Sequence, residues 1–181
     1  GVIAANGGAG NGNGGGGGGG RIAVTYTTAN AFSGLMSAFG GGGYAWGGAG
    51  TIYTKGNTQN TGLVVMDNGG QTGTNTSLPS SGIVDVTVKG GAALSLSTSQ
   101  GTIGNLLVAS NGWLWAVGNP PSSATLYVNG NAIIQAGGGI LADLTGYSII
   151  FGGVGPGAGS YSSVLGGYVS GGGGNGGYGA T

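Results

Sequence analysis

Between Leu63 and Ala136 the chain repeats one short pattern: apolar alternation, a glycine turn, then alternation again. Val65, Val88, Val108 and Val128 follow one another at steps of 23, 20 and 20 residues, and two positions before them stand Leu63, Val86, Leu106 and Leu126. Six residues beyond each valine come Gln71, Leu94, Leu114 and Ile134, with Leu96, Ala116 and Ala136 two further on in the last three. The turns between the halves read NGG (68–70), KGG (89–91), NG (111–112) and NG (129–130). Period-2 alternation inside a beat of about 20 residues is the pattern of a β-solenoid, whose coils each supply short strands that stack on the next coil. The expected fold is all-β with essentially no α-helix, a right-handed parallel β-helix.

The flanks echo this spine at longer spacing. RIAVTYTT (21–28) alternates as a strand does, and GGRIAV (19–24) is echoed by AGTIYT (49–54), which sets Ile52 30 residues after Ile22. FSGLMSAFGG (32–41) and GGGILADLTG (137–146) both echo the opening GVIAANGGAG. The whole of 1–181 is read as one domain: 1–61 as longer coils of the same solenoid with glycine-rich excursions, 62–136 as regular coils, and 137–181 as a looser glycine-rich part. Two polar loops interrupt it, QTGTNTSLPSS (71–81) and Pro120-Pro121-Ser122-Ser123. The first holds an N-glycosylation triplet, Asn75-Thr76-Ser77, and a Ser/Thr/Pro cluster suited to O-glycans.

Glycine supplies 51 of the 181 residues and charged residues only 3%. Collagen would need glycine at every third position with abundant proline, and there are four prolines without that period. Charge-driven disorder does not fit a chain that is 39% hydrophobic and nearly uncharged. A membrane-spanning helix needs about 20 apolar residues in a row, and glycine or a polar residue breaks every run, so no membrane insertion is expected. Each ordered glycine costs roughly 0.5–1 kcal/mol relative to alanine, a cost that only backbone hydrogen bonding and close backbone packing can offset here. The tracts 1–20, 40–50 and 166–179 therefore have two readings. One is flexible linker. The other is a set of extended polyglycine-II helices, three residues per turn, which need neighbours because they have no internal hydrogen bonds.

Arg21, Lys55 and Lys89 balance Asp67, Asp85 and Asp143, so the net charge is zero. Three scattered cations make no basic patch, which argues against nucleic acid, while a net charge near zero favours association of copies. The absence of cysteine removes disulfides and thiolate metal sites. A start at Gly1 without methionine or leader is read as a processed product or an excerpt of a longer chain.

GVIAANGGAG followed by GGGGGGGRIAVTY, AGTIYTK followed by LVVMDNGG, the repeated rungs with NG turns, and GYSIIFGGVGPGAG together resemble the glycine-rich repeat regions of large secreted or cell-surface bacterial proteins. The likeness is one of pattern and spans nearly the whole chain. It implies parallel β-helices with glycine-rich loops and an extracellular or cell-surface structural or adhesive role. The glycine tracts are also similar to the polyglycine bundles of phage receptor-binding tips and of some receptor ectodomains. Neither resemblance brings catalytic residues.

The residues themselves point away from chemistry. Asp67 and Asp85 lie one coil apart and could approach each other, but acid–base work in enzymatic β-helices draws on clustered carboxylates with basic partners, and no histidine exists here. The reading favoured for Asp67 is a solvated turn, and for Asp85 a polar residue on a strand face. GGGGGGGR lacks the lysine and hydroxyl of a phosphate-binding loop, and the turns lack the aspartates of a calcium-binding repeat. No enzyme activity, cofactor or metal is expected. Trp113 and Trp115 share one strand face while Leu114 points to the core, which leaves both indoles either covering a loop of the same chain or forming an interaction patch.

Two functions compete. One is a structural subunit whose uncapped ends stack on copies of itself into an extracellular filament, since open solenoid ends normally carry polar or charged caps. The other is an adhesin that grips glycans through Trp113, Trp115 and tyrosine-bearing glycine loops. An ice-binding surface, suggested by Thr25-Tyr26-Thr27, lacks regular threonine ladders.

Overall fold

The computed structural model describes residues 1–78, 82–96, 102–116, 125–142, 160–162 and 167–169. Among them every regular element is a strand. β1 (Val2–Ala4) pairs with β3 (Leu35–Ser37), and β2 (Arg21–Tyr26) with β4 (Thr51–Gly56), both in parallel. From β5 (Gly62–Asp67) the chain passes to β6 (Thr76–Ser77), β7 (Val84–Lys89), β8 (Ala93–Leu96) and β9 (Thr102–Ile103). It continues through β10 (Leu106–Val108), β11 (Trp113–Ala116), β12 (Tyr127–Val128), β13 (Ala132–Ile134) and β14 (Gly139–Leu141). The short strands β15 (Ser160–Ser162) and β16 (Gly167–Val169) pair with each other antiparallel. The loop 120–123, residues 79–81, the segment 147–159 and most of the tract 166–179 lie outside the described residues.

Strands recurring along the spine assemble into three sheets. The largest runs β13-β10-β7-β5-β4-β2, a second runs β14-β11-β8-β6, and β12 pairs with β9. The 20-residue beat is borne out where it is most regular: Val86 lies beside Leu106, Val88 beside Val108, and Leu94 beside Leu114. These side chains and Ile103 form the centre of the main apolar cluster, with Val88, Leu94, Val108 and Leu114 fully buried. Burying such a side chain is worth roughly 1.5–3 kcal/mol.

The first rung departs from the expected alignment by one residue. Val64 and Met66, not Leu63 and Val65, lie beside Val86 and Val88. Because side chains alternate across a strand, that slip exchanges faces: Met66 is fully buried, whereas Leu63 is 38% exposed. Opposite Leu94 stands Thr76, not Gln71. The last rung departs further. Ala132 and Ile134 lie beside Leu106 and Val108, and Ile140 lies beside Leu114, so this repeat is six residues longer than expected. Leu126 and Val128 do not align with β10; Tyr127 and Val128 pair with Thr102 and Ile103 in the third sheet. The GGGIL echo of the amino terminus stacks on Trp113–Trp115 rather than on β1.

The turns stack as well. Gly69 and Gly70, Gly90 and Gly91, then Asn111, then Gly137 have positive φ, the region that glycine and asparagine enter most readily. Gly70 N–H donates to the Gly90 carbonyl at 2.8 Å and Asn111 N–H to that of Gly137 at 2.7 Å, which joins consecutive turns. The turn at 129–130 belongs to a different stack: Gly130 N–H donates to the Gly104 carbonyl.

Residues 1–61 do not continue into the regular rungs by a parallel step: β4 joins β5 as an antiparallel hairpin, with Ile52 opposite Val65 and Tyr53 opposite Val64. Ile22 does pair with Ile52, and Val2 with Leu35, as the internal echoes require. The hairpin reverses chain direction, so the large sheet is mixed. Ile22, Ala38 and Ile52 form a second apolar cluster with Val65, on the face opposite Val64 and Met66.

Four glycine-rich segments, 5–10, 14–20, 38–44 and 45–50, pack against one another through backbone hydrogen bonds that recur every three residues. Gly7 and Gly10 donate to Phe39 and Gly42, and Gly16 and Gly19 to Ala45 and Gly48. Gly17 and Gly20 donate to Gly8 and Ala5, Gly41 and Tyr44 to Gly17 and Gly14, Gly47 and Gly50 to Gly41 and Ala38. A period of two sends bonds in two directions and makes a sheet; a period of three sends them in three and makes a bundle. Asn68, 1% exposed, ties this bundle to the spine: its amide donates to the carbonyls of Gly47 (3.1 Å) and Gln71 (2.7 Å) and accepts from Gly40 N–H (2.7 Å). A methyl at Gly16 would land on the Gly41 carbonyl, whereas one at Gly18 would meet nothing closer than 3.9 Å. Gly16→Ala should therefore cost about 1–3 kcal/mol. Gly18→Ala should be neutral or stabilising by up to about 1 kcal/mol. Chemical denaturation of the two variants checks the contrast.

Candidate functional site

Three surfaces carry the side chains that the sequence singled out. The first is the corner where β5, β7 and β10 begin. Asp85 does not meet Asp67: the register sets Asp85 opposite Leu63 and Asp67 opposite Lys89, at opposite ends of the same strand pair. Lys89 and Asp67 form an ion pair at 3.3 Å, partly exposed and so a minor contributor to stability. Asp85 instead accepts from the backbone N–H (2.7 Å) and side-chain amide (3.0 Å) of Asn105 and from the Thr61 hydroxyl (3.3 Å). Asn105 in turn accepts from Asn131 N–H at 2.9 Å. Asp85, Asn105 and Asn131 thus form a ladder, one residue per rung, that satisfies the backbone at each strand start. This ladder was not anticipated, although NLLV (105–108) and NAII (131–134) display its signal, an asparagine just before each apolar run.

The second surface holds the tryptophans. Leu114 is buried and both indoles lie on the other face, as the alternation requires. Trp113 is half-buried: its ring lies over Gly139 of the next rung, and its indole N–H donates to the Asn111 side chain at 3.2 Å. Trp115 is also half-buried, between Ser95 and Leu141 in the ladder. More open aromatic rings among the described residues lie elsewhere: Tyr44 (84%) and Trp46 (39%) at the tip of the glycine bundle, and Tyr127 (63%) on β12. Asn75 is exposed just ahead of β6, and the Thr76 hydroxyl bonds the Ala49 carbonyl.

The third surface is the last described rung. Ile134 and Ile140 occupy the positions at which the preceding rungs bury Val108 and Leu114, yet they are 47% and 55% exposed, and Ile133 is 52% exposed. No charged residue lies between Thr125 and Ala142. At the other end of the large sheet β2 is paired on one side only among the described residues, and Val2 and Leu35 nearby are 68% and 58% exposed. Exposed apolar side chains gathered at the ends of a sheet are candidates for interaction surfaces.

No family model, curated protein or solved structure matches the chain.

The Asp85 ladder rests on hydrogen bonding rather than on charge. Asp85→Asn keeps an oxygen for the Asn105 donors and should change stability by less than about 0.5 kcal/mol, whereas Asp85→Ala hands those exposed donors to water and should cost about 0.5–1.5 kcal/mol. Thermal unfolding of the pair distinguishes the two.

Proposed function

We propose that this chain is a non-catalytic structural protein, a subunit or repeat of an extracellular filament assembled by end-to-end stacking of copies. In this reading β5 to β14 form the coils of a β-solenoid, and the segments 5–20 and 38–50 form a polyglycine-II bundle laid against it, as the three-residue hydrogen-bond period suggests. The observation that carries the reading is the exposed last rung, whose Ile134 and Ile140 stand at core positions with nothing stacked beyond them among the described residues. The near absence of charge supports it, because no repulsion opposes close approach of copies. A partner that is another copy, and a location outside the cell or on its surface, belong to the same proposal. Negative-stain microscopy of the concentrated protein should show unbranched filaments; particles that stay monodisperse at every concentration would refute the assignment.

A second reading, an adhesin module that binds glycans, draws on Tyr44 and Trp46, whose open rings at the bundle tip could stack on sugar faces beside the exposed Asn11 and Asn13. On this reading Tyr44→Ala and Trp46→Ala each lower glycan-array signal at least tenfold while Trp113→Ala does not. Equal signal from all three variants counts against it.

A further inference from the structure

We infer that the subunit junction is a direct antiparallel pairing of β13 in one copy with β2 in the next, which makes the six-stranded sheet continuous along the filament. The inference rests on the filament reading above and adds to it the partner strand, the polarity and the repeat. Among the described residues the large sheet has two unpaired edges, β13 and β2. Their chain directions are opposite, since β13 runs parallel with β10, β7 and β5, while β4 and β2 run antiparallel to β5. Copies related by translation along the sheet therefore meet β13 to β2 antiparallel, the same relation that β4 and β5 already have within the chain.

The backbone phase on the two edges agrees. Gln135 N–H bonds Val108 in β10, and bonds alternate along a strand, so Ala132 and Ile134 turn their N–H and C=O groups to the free edge. On β2, Gly20 accepts from Thr51 and Tyr26 from Asn57, which leaves Arg21, Ala23 and Thr25 facing the free edge. Antiparallel bonding requires that edge-facing residues opposite each other also share a sheet face. They do: Ala132 and Ile134 lie on the face of Val64 and Met66, and Arg21, Ala23 and Thr25 on that same face, because Ile22 and Ile52 lie on the other with Val65. The same alignment sets the exposed Ile133 on the face of Ile22 and Val24. Neither edge carries proline or an inward charge opposite the pairing positions, the devices that ordinarily guard an edge, apart from Arg21 at the start of β2.

Proline at an edge-facing position deletes one free N–H and leaves bonds inside the sheet intact. Ala132→Pro and Ala23→Pro in the full chain should each remove filaments, with circular dichroism unchanged. Because each variant retains the opposite edge, an equimolar mixture should give discrete dimers by light scattering, and a few per cent of Ala132→Pro should shorten wild-type filaments. A misfolded variant would do neither. Cryo-electron microscopy of wild-type filaments should show a subunit repeat of about 29 Å, six strands at roughly 4.8 Å each. Filaments that persist in both variants, or a clearly longer repeat, would overturn the β13–β2 junction and leave the filament reading standing; a wild-type chain that forms no filaments would overturn both.

Discussion

Backbone hydrogen bonding between neighbouring chain segments is the requirement on which the rest depends. This chain has few large side chains and almost no charge, so its order comes from amides satisfied by the segment beside them. In the spine that demand produces ladders between β5, β7, β10 and β13, with turns bonded to turns at Gly70, Gly90 and Asn111. In the amino-terminal part it produces a bundle in which carbonyls approach so closely that only glycine fits, as at Gly16 over Gly41. The two halves use different periods, two and three, and Asn68 joins them with three hydrogen bonds from one buried side chain. No buried side-chain nitrogen or oxygen among the described residues lacks a partner.

That dependence also explains where the fold is incomplete. A strand in the middle of such a ladder has both neighbours, and its apolar residues are covered by the rungs on either side. Among the described residues β13 and β14 have one neighbour each, and Ile134 and Ile140 remain exposed although they stand in register with fully buried residues. Among the described residues the hollows beside Tyr26, Asp85 and Asn105 are open surface, two of them with Asp85 at the rim. The tryptophans illustrate the same point. Trp113 stacks on the glycine of the following rung and donates to Asn111, which assigns it a part in holding rungs together and leaves the more open aromatic surface to Tyr44, Trp46 and Tyr127.

Much of this was legible in the residues. The equivalence of Val86 with Leu106 and of Leu94 with Leu114, the pairing of Ile22 with Ile52, and the burial of Leu114 beneath two outward indoles all follow from alternation and spacing. Where inference failed, the cause was local. In LVVM (63–66) four apolar residues run consecutively, so period two does not say which pair is inward. In the last repeat more residues separate β11 from β12, and Val128, at the familiar spacing of 20, belongs to a different sheet. The hairpin between β4 and β5 escapes the pattern because alternation looks the same in either chain direction.

What the sequence by itself determined is the class of structure: a glycine-rich, uncharged, alternating chain can order only as closely packed β backbone, and its echoes specify which segments are equivalent. Only the tertiary structure decided the one-residue register at Val64, the reversal of direction at β4, and the threefold bonding of the glycine segments. The physical reason is that alternation records which side chains share a face, while direction, register and backbone partners depend on which carbonyl each amide reaches, and no side chain encodes that.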